Sequence, residues 1–122
     1  MNIEKFWKDV VYQNKDNLLN YFSSDAVIRW HCTNEQFSVD EYIKVNCEYP
    51  GEWYGEMERK EEIDNMIISV VKIYSIEKNE SYHVVNFMKL KENLIVEMDE
   101  YWSDDADIPD WRRDMNIGKK II

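Results

Sequence analysis

Four segments between Trp53 and Trp102 alternate with the two-residue period of a strand, and the links joining them are too short to hold a crossover helix. Trp53 to Ile63, Met66 to Ile76, Tyr82 to Lys91 and Leu94 to Trp102 are therefore read as strands, with Glu77 to Ser81 and Lys91 to Asn93 as turns. The middle strands are apolar on both faces. Ile68 and Val70 oppose Ile67 and Val71, and Val84 and Met88 oppose Val85 and Phe87. A sheet of this kind needs a cover on each side. Helices supply one, and the reading assigns the other to a second copy of the chain, so a homodimer is expected.

The cover comes from the first half. Ile3, Phe6, Trp7, Val10 and Val11 recur at helical spacing, and Leu18, Leu19, Tyr21 and Phe22 continue the pattern, predicting two short helices or one bent helix ending near Ser23. A strand is expected over Ala26 to Cys32, with Ala26, Ile28 and Trp30 on one face and Arg29 and His31 on the other. Ser38-Val39-Asp40-Glu41 is a capping box flanked by Phe37 and Tyr42. The helix it starts carries Val39, Tyr42, Ile43 and Asn46 on one stripe and stops at Tyr49-Pro50-Gly51. The tail beyond Asp104 reads as irregular, with Trp111, Ile117, Ile121 and Ile122 as anchors.

A chain of 122 residues fits one domain, taken as 1–122. Its net charge of -10 repels phosphate backbones and anionic lipid surfaces, which argues against nucleic acid or membrane partners. No apolar run reaches the length of a membrane span, and the opening MNIEKFWKDV lacks the apolar core of a signal peptide. The expectation is a cytoplasmic protein with Cys32 and Cys47 as free thiols.

One position breaks the pattern of the last strand. Glu100 shares a face with Leu94, Val96, Met98 and Trp102, and a carboxylate on an apolar face must be paired, protonated or kept for chemistry. It reads as a general acid or base, as the partner of Arg59, or as the acceptor of a hydrogen bond from Tyr42 or Asn46. Arg59 shares a face with Trp53, Gly55 and Met57, where it pairs with a glutamate or holds an anion. Asn46, Asn86 and Tyr42 are candidate polar contacts for a ligand, and Trp30, Trp53 and Trp102 a candidate aromatic wall. His31 and His83, with the two cysteines, lack zinc-ligand spacing, and no cofactor motif is present.

The segments Asp25-Ala26-Val27-Ile28-Arg29-Trp30-His31, Asn34-Glu35-Gln36-Phe37, Glu41-Tyr42-Ile43, Asn46 to Trp53, Asp99-Glu100-Tyr101-Trp102 and Pro109-Asp110-Trp111-Arg112, in this order, resemble the SnoaL-like branch of the nuclear transport factor 2-like superfamily over nearly the whole chain. The resemblance implies an α+β fold: a cone-shaped barrel in which a curved, mostly antiparallel sheet wraps around N-terminal helices and leaves an open cavity. Members include isomerases, dehydratases, epoxide hydrolases, polyketide cyclases and pure binding proteins. The aspartate-histidine pair of the cyclases has no counterpart at the motif level here. The leading expectation is a protein that binds a small, mostly apolar or aromatic molecule through Trp30, Tyr42, Asn46, Trp53, Arg59, Asn86, Glu100 and Trp102. The alternatives are an acid-base isomerase, dehydratase or hydrolase using Glu100, and a dimeric interaction module with a filled cavity.

Overall fold

The computed structural model describes residues 1–122. The chain runs α1 (Ile3–Val11), α2 (Lys15–Leu19), β1 (Phe22–Trp30), a 3-10 turn (His31–Thr33), β2 (Glu35–Phe37), α3 (Val39–Cys47), β3 (Tyr54–Ile63), β4 (Met66–Ser75), β5 (Glu80–Lys91), β6 (Leu94–Asp104) and α4 (Asp110–Arg113). The strands form one sheet in the order β2-β1-β6-β5-β4-β3. All neighbours are antiparallel except β1 and β6, which run parallel. The sheet keeps two free edges, β2 and β3, so the cone is open and not a closed barrel.

Local chemistry explains the helices. The Asn2 side chain accepts a hydrogen bond from the Lys5 amide and caps α1, whose Ile3, Phe6, Trp7, Val10 and Val11 are all buried. Gln13 in the left-handed region ends it, so the N-terminal pattern is two helices. Ser38 and Glu41 form both bonds of the capping box at the start of α3. The helical apolar pattern expected to run to Ser23 stops at Leu19, because Phe22 is drawn into the sheet beside Ile95 of β6. That same pairing starts β1 four positions before Ala26, and the strand ends at Trp30 instead of Cys32.

Two β-bulges reset the facing of side chains along the strands. On β3, Met57 pairs with Val71 and Arg59 with Val70, leaving Glu58 as the extra residue. Beyond it the parity is inverted: Arg59 faces outward, and Lys60 turns toward α1 to meet Glu4 at 2.7 Å. On β6, Ile95 pairs with Leu90 and Glu97 with Lys89, so Val96 is the extra residue. Ile95 is therefore buried and Leu94 exposed, the reverse of a regular alternation, whereas Met98, Glu100 and Trp102 keep the inner face.

The core lies between α1–α3 and the inner face. Trp7 spans it, donating its indole N–H to the buried Ser69 hydroxyl at 3.0 Å. Asp9 is buried at the α1–α2 corner and accepts from the Tyr21 hydroxyl at 2.6 Å, Asn14 at 2.8 Å, Asn17 at 3.1 Å and Lys5 at 3.4 Å. Trp111, Ile117, Ile121 and Ile122, expected as anchors, are all exposed. Trp111 sits between Asp110 and Arg112, Ile117 between Asn116 and Gly118, and Ile121 and Ile122 follow Lys119 and Lys120, so the tail never presents a continuous apolar stripe.

Candidate functional site

The register of the sheet builds the polar centre of the site. Glu100 on β6 lies directly between Trp30 of β1 and Asn86 of β5, and Trp102 follows two positions along on the same face. The carboxylate is 1% exposed. Its Oε1 accepts from the indole N–H of Trp30 at 2.8 Å and of Trp102 at 3.3 Å, and its Oε2 accepts from Asn86 Nδ2 at 2.7 Å. All three donors are neutral, and no Lys, Arg or His forms a salt bridge to it. Burial raises its pKa, and the bonds from Asn86, Trp102 and Trp30 pull it back only in part. The Asn86 side-chain oxygen is buried and has no hydrogen-bond partner.

None of Arg59, Tyr42 and Asn46, the possible partners read from the sequence, bonds to Glu100. Arg59, turned out by the β3 bulge, is exposed and pairs with Glu61 at 3.0 Å. Arg29 and His31 also lie outside, both against Asp99. Tyr42 is buried near Glu100, and its hydroxyl pKa is pushed well up by burial, then by the charge of Glu100 and by Cys47.

In front of this centre lies a pocket of about 780 Å³. That volume is in the range of small-molecule sites, ~300–1,000 Å³. Its wall carries the aromatic residues Trp30, Tyr49, Trp53, Tyr82 and Trp102, the apolar residues Val10, Val11, Val45 and Ile73, and polar groups from Gln13, Asn46, Ser103 and Asp104 among others. Glu100, Asn86 and Tyr42 are not on the wall; they support it from behind. Asn46 is on the wall with its Nδ2 donating to the Val10 carbonyl at 2.9 Å, which ties α3 to α1. A second recess, beside Trp7, Gly55 and Met57, has room for only about 80 Å³.

The rings follow one another around the wall. Centroids are 5.3 Å apart for Tyr49 and Trp53, 6.0 Å for Trp53 and Tyr82, 6.3 Å for Tyr82 and Trp102, and 6.2 Å for Trp102 and Trp30. Trp30 then meets Phe37 at 4.8 Å. The polar atoms of these rings are occupied: Tyr82 and Tyr49 donate to Glu80 Oε2 at 2.7 and 3.4 Å, and Trp53 donates to the Pro50 carbonyl at 3.0 Å. The Glu80 bond, followed by burial, raises the Tyr82 hydroxyl pKa strongly.

Tyr49, Tyr82, Asp104 and Glu80 were not among the residues expected at the site. Tyr82 was legible, since it shares the parity of Val84, Asn86 and Met88 on β5. Tyr49 carries only a helix-stop signal, and Glu80 lies in a segment that reads as a turn. No group of three His, Cys, Asp or Glu residues is placed to hold a metal ion, and both cysteines are free thiols.

No protein-family model and no curated protein matches the sequence. Solved structures do resemble the chain. A Kribbella flavida protein proposed to be a ketosteroid isomerase superposes with a TM-score of 0.81 at 16% identity, over 98% of this chain and 87% of its own. An NTF-2 like protein of unknown function from Burkholderia xenovorans gives 0.77 at 18% identity, over 97% and 91%. A Catenulispora acidiphila protein with a ketosteroid isomerase-like fold, in complex with trimethylamine, gives 0.72 at 10% identity, over 84% and 85%. Likeness at such low identity is a likeness of fold, and by fold this chain is nuclear transport factor 2-like.

Proposed function

We propose that the chain binds a small, mostly apolar molecule in the aromatic-walled pocket. The observation that carries this reading is an open space of about 780 Å³ faced by Trp30, Tyr49, Trp53, Tyr82 and Trp102, whose own N–H and O–H groups are already bonded elsewhere. Trp30, Trp53 and Trp102 are the contact surface, and Asn46 offers a polar contact through its side-chain oxygen. Tyr42, Asn86 and Glu100 hold the wall in place. Arg59 leaves the proposal, because it points to solvent. A protein of the same fold holds trimethylamine, which supports small-molecule binding on this scaffold.

An acid-base enzyme of the isomerase, dehydratase or hydrolase class is the second reading. It is favoured by the burial of Glu100, which moves its pKa up from the ordinary value, the direction that suits a general acid or base. Binding alone is preferred because both Glu100 oxygens are engaged by Trp30, Trp102 and Asn86 and the residue lies behind the wall. The proposal includes a cytoplasmic location and a homodimer through the outer sheet face, where Ile68, Val70, Val85 and Phe87 remain half-buried in the isolated chain. A solution mass of 14.9 kDa would remove the dimer.

Thermal unfolding with the neutral probes indole and naphthalene tests the pocket. A probe at 100 times its Kd adds about 2.7 kcal/mol to stability by mass action, and Trp102→Ala should abolish the shift. The absence of any shift at probe saturation would overturn the reading and favour an interaction module.

A further inference from the structure

The only formal charge on the pocket's wall is negative. Among its 15 lining residues there is no Lys, Arg or His, and the one formal charge is Asp104. Behind the wall, Glu100 is buried and bonded only to neutral donors. Glu80, which holds the Tyr49 and Tyr82 hydroxyls, likewise has no basic partner.

The aromatic wall is prepared by these same carboxylates. Trp30 and Trp102 donate to Glu100, and Tyr82 and Tyr49 donate to Glu80. A ring whose N–H or O–H faces an anion is polarised toward greater electron density, most so at the buried Glu100, where low solvation reinforces the polarisation of Trp30 and Trp102. With the polar atoms directed at carboxylates, these rings offer an occupant carbon surface and π density. The positive charge best matched to such a surface is a poorly hydrated one spread over alkyl groups, as in a tertiary or quaternary ammonium. A compact, strongly hydrated cation would find too few oxygen donors on the wall, and an anion would be repelled. The unpartnered Asn86 oxygen adds a further negative dipole beside Glu100.

We propose that the ligand is an alkylated ammonium cation with an apolar body, held against Trp30, Trp53, Tyr82 and Trp102, with Glu100 as the buried counter-charge. This rests on the pocket-binding reading and names its ligand class. Binding would give Glu100 the positive neighbour it lacks in the protein itself, so specificity comes from charge as well as from shape.

Calorimetric titration with an isosteric pair tests it: (2-hydroxyethyl)trimethylammonium and 3,3-dimethylbutan-1-ol, which differ by a charged nitrogen in place of a carbon. The unmutated protein should prefer the cation by roughly 30-fold or more, the preference several aromatic contacts to a desolvated cation provide. Glu100→Gln should weaken the cation by about tenfold, and the cation-to-alcohol ratio should fall with it. Equal or tighter binding of the alcohol overturns the cation assignment and leaves pocket binding standing. Binding of neither member, with indole and naphthalene still shifting the melting temperature, also overturns it. Failure of all four probes removes both proposals. The isostere ratio in the unmutated protein needs no variant, and Tyr82→Leu, which removes a ring and keeps an apolar side chain, gives an independent check: it should lower the ratio.

Discussion

Glu100→Gln is expected to leave the protein as stable as before or to stabilise it by up to about 2 kcal/mol at pH 7, through relief of ion desolvation. The glutamine oxygen can keep both indole N–H donors, Trp30 and Trp102, which now share Oε1. Its amide nitrogen finds an acceptor in the unpartnered Asn86 oxygen once that side chain rotates. The loss is the difference between a charged and a neutral acceptor, about 1 kcal/mol per bond and so ~3 kcal/mol for the set. The gain is the several kcal/mol needed to bury an ion with no cation beside it. If Glu100 were half of a buried ion pair, breaking it would instead cost ~3–5 kcal/mol.

Urea unfolding followed by circular dichroism reads the difference, and pH checks its origin. The folded pKa of Glu100 lies above its ordinary value of 4.5, so the ionised form is penalised at high pH and the penalty is relieved as pH falls through the folded pKa. The advantage of the variant should therefore shrink toward zero at pH 4 and below. A loss of more than ~3 kcal/mol at pH 7, or a gap that widens on acidification, would refute the reasoning, since either would require a charged partner.

Asp9 should behave in the opposite sense. Burial, the largest influence, pushes its pKa up, but the bonds from Tyr21, Asn14, Asn17 and Lys5 outweigh it and hold the group at about 2 against 3.8. Its ionised form therefore contributes about 2 kcal/mol above pH 4 that is lost as pH falls through 3.8 to 2; the stability gap between Asp9→Asn and the unmutated protein, measured across that window, should close. Gly55→Ala should destabilise the α1–β3 contact by ~1–3 kcal/mol in denaturant titration, the usual cost of overpacking. The new methyl would lie 2.8 Å from the stiff Val11 side chain. Arg59→Ala should change stability by less than about 0.5 kcal/mol, as for other exposed pairs, and should leave probe binding intact; a loss of binding would place Arg59 in the site after all.

Much of this protein is written locally. The capping box of α3, the apolar stripe of α1 and the alternation of β4 and β5 each follow from residues within a few positions of one another, because propensity and amphipathic period are local properties. The inward facing of Trp30, Met98, Glu100 and Trp102 was legible for the same reason. Bulges are not local. The extra residues Glu58 and Val96 exist only relative to partner strands, yet they decide that Arg59 points to solvent and that Ile95 displaces Leu94 from the core. The tail is a third case, since whether an isolated Trp111 or Ile117 packs depends on space left by the rest of the chain.

The sequence alone could single out Glu100 as anomalous, since a carboxylate among large apolar residues is costly whatever the fold. Which groups answer that cost was decided by the sheet. The parallel pairing of β1 with β6 sets Trp30 on one side of Glu100, and the antiparallel pairing of β5 sets Asn86 on the other, across 70 and 14 positions of sequence. Hydrogen-bond partners so far apart leave no spacing signature. The sequence by itself therefore determined α1, α3, the strands β3 to β6 and the odd carboxylate, whereas the tertiary structure determined the start of β1, the pairing of β2, and that this carboxylate has no cation and faces the back of an aromatic wall.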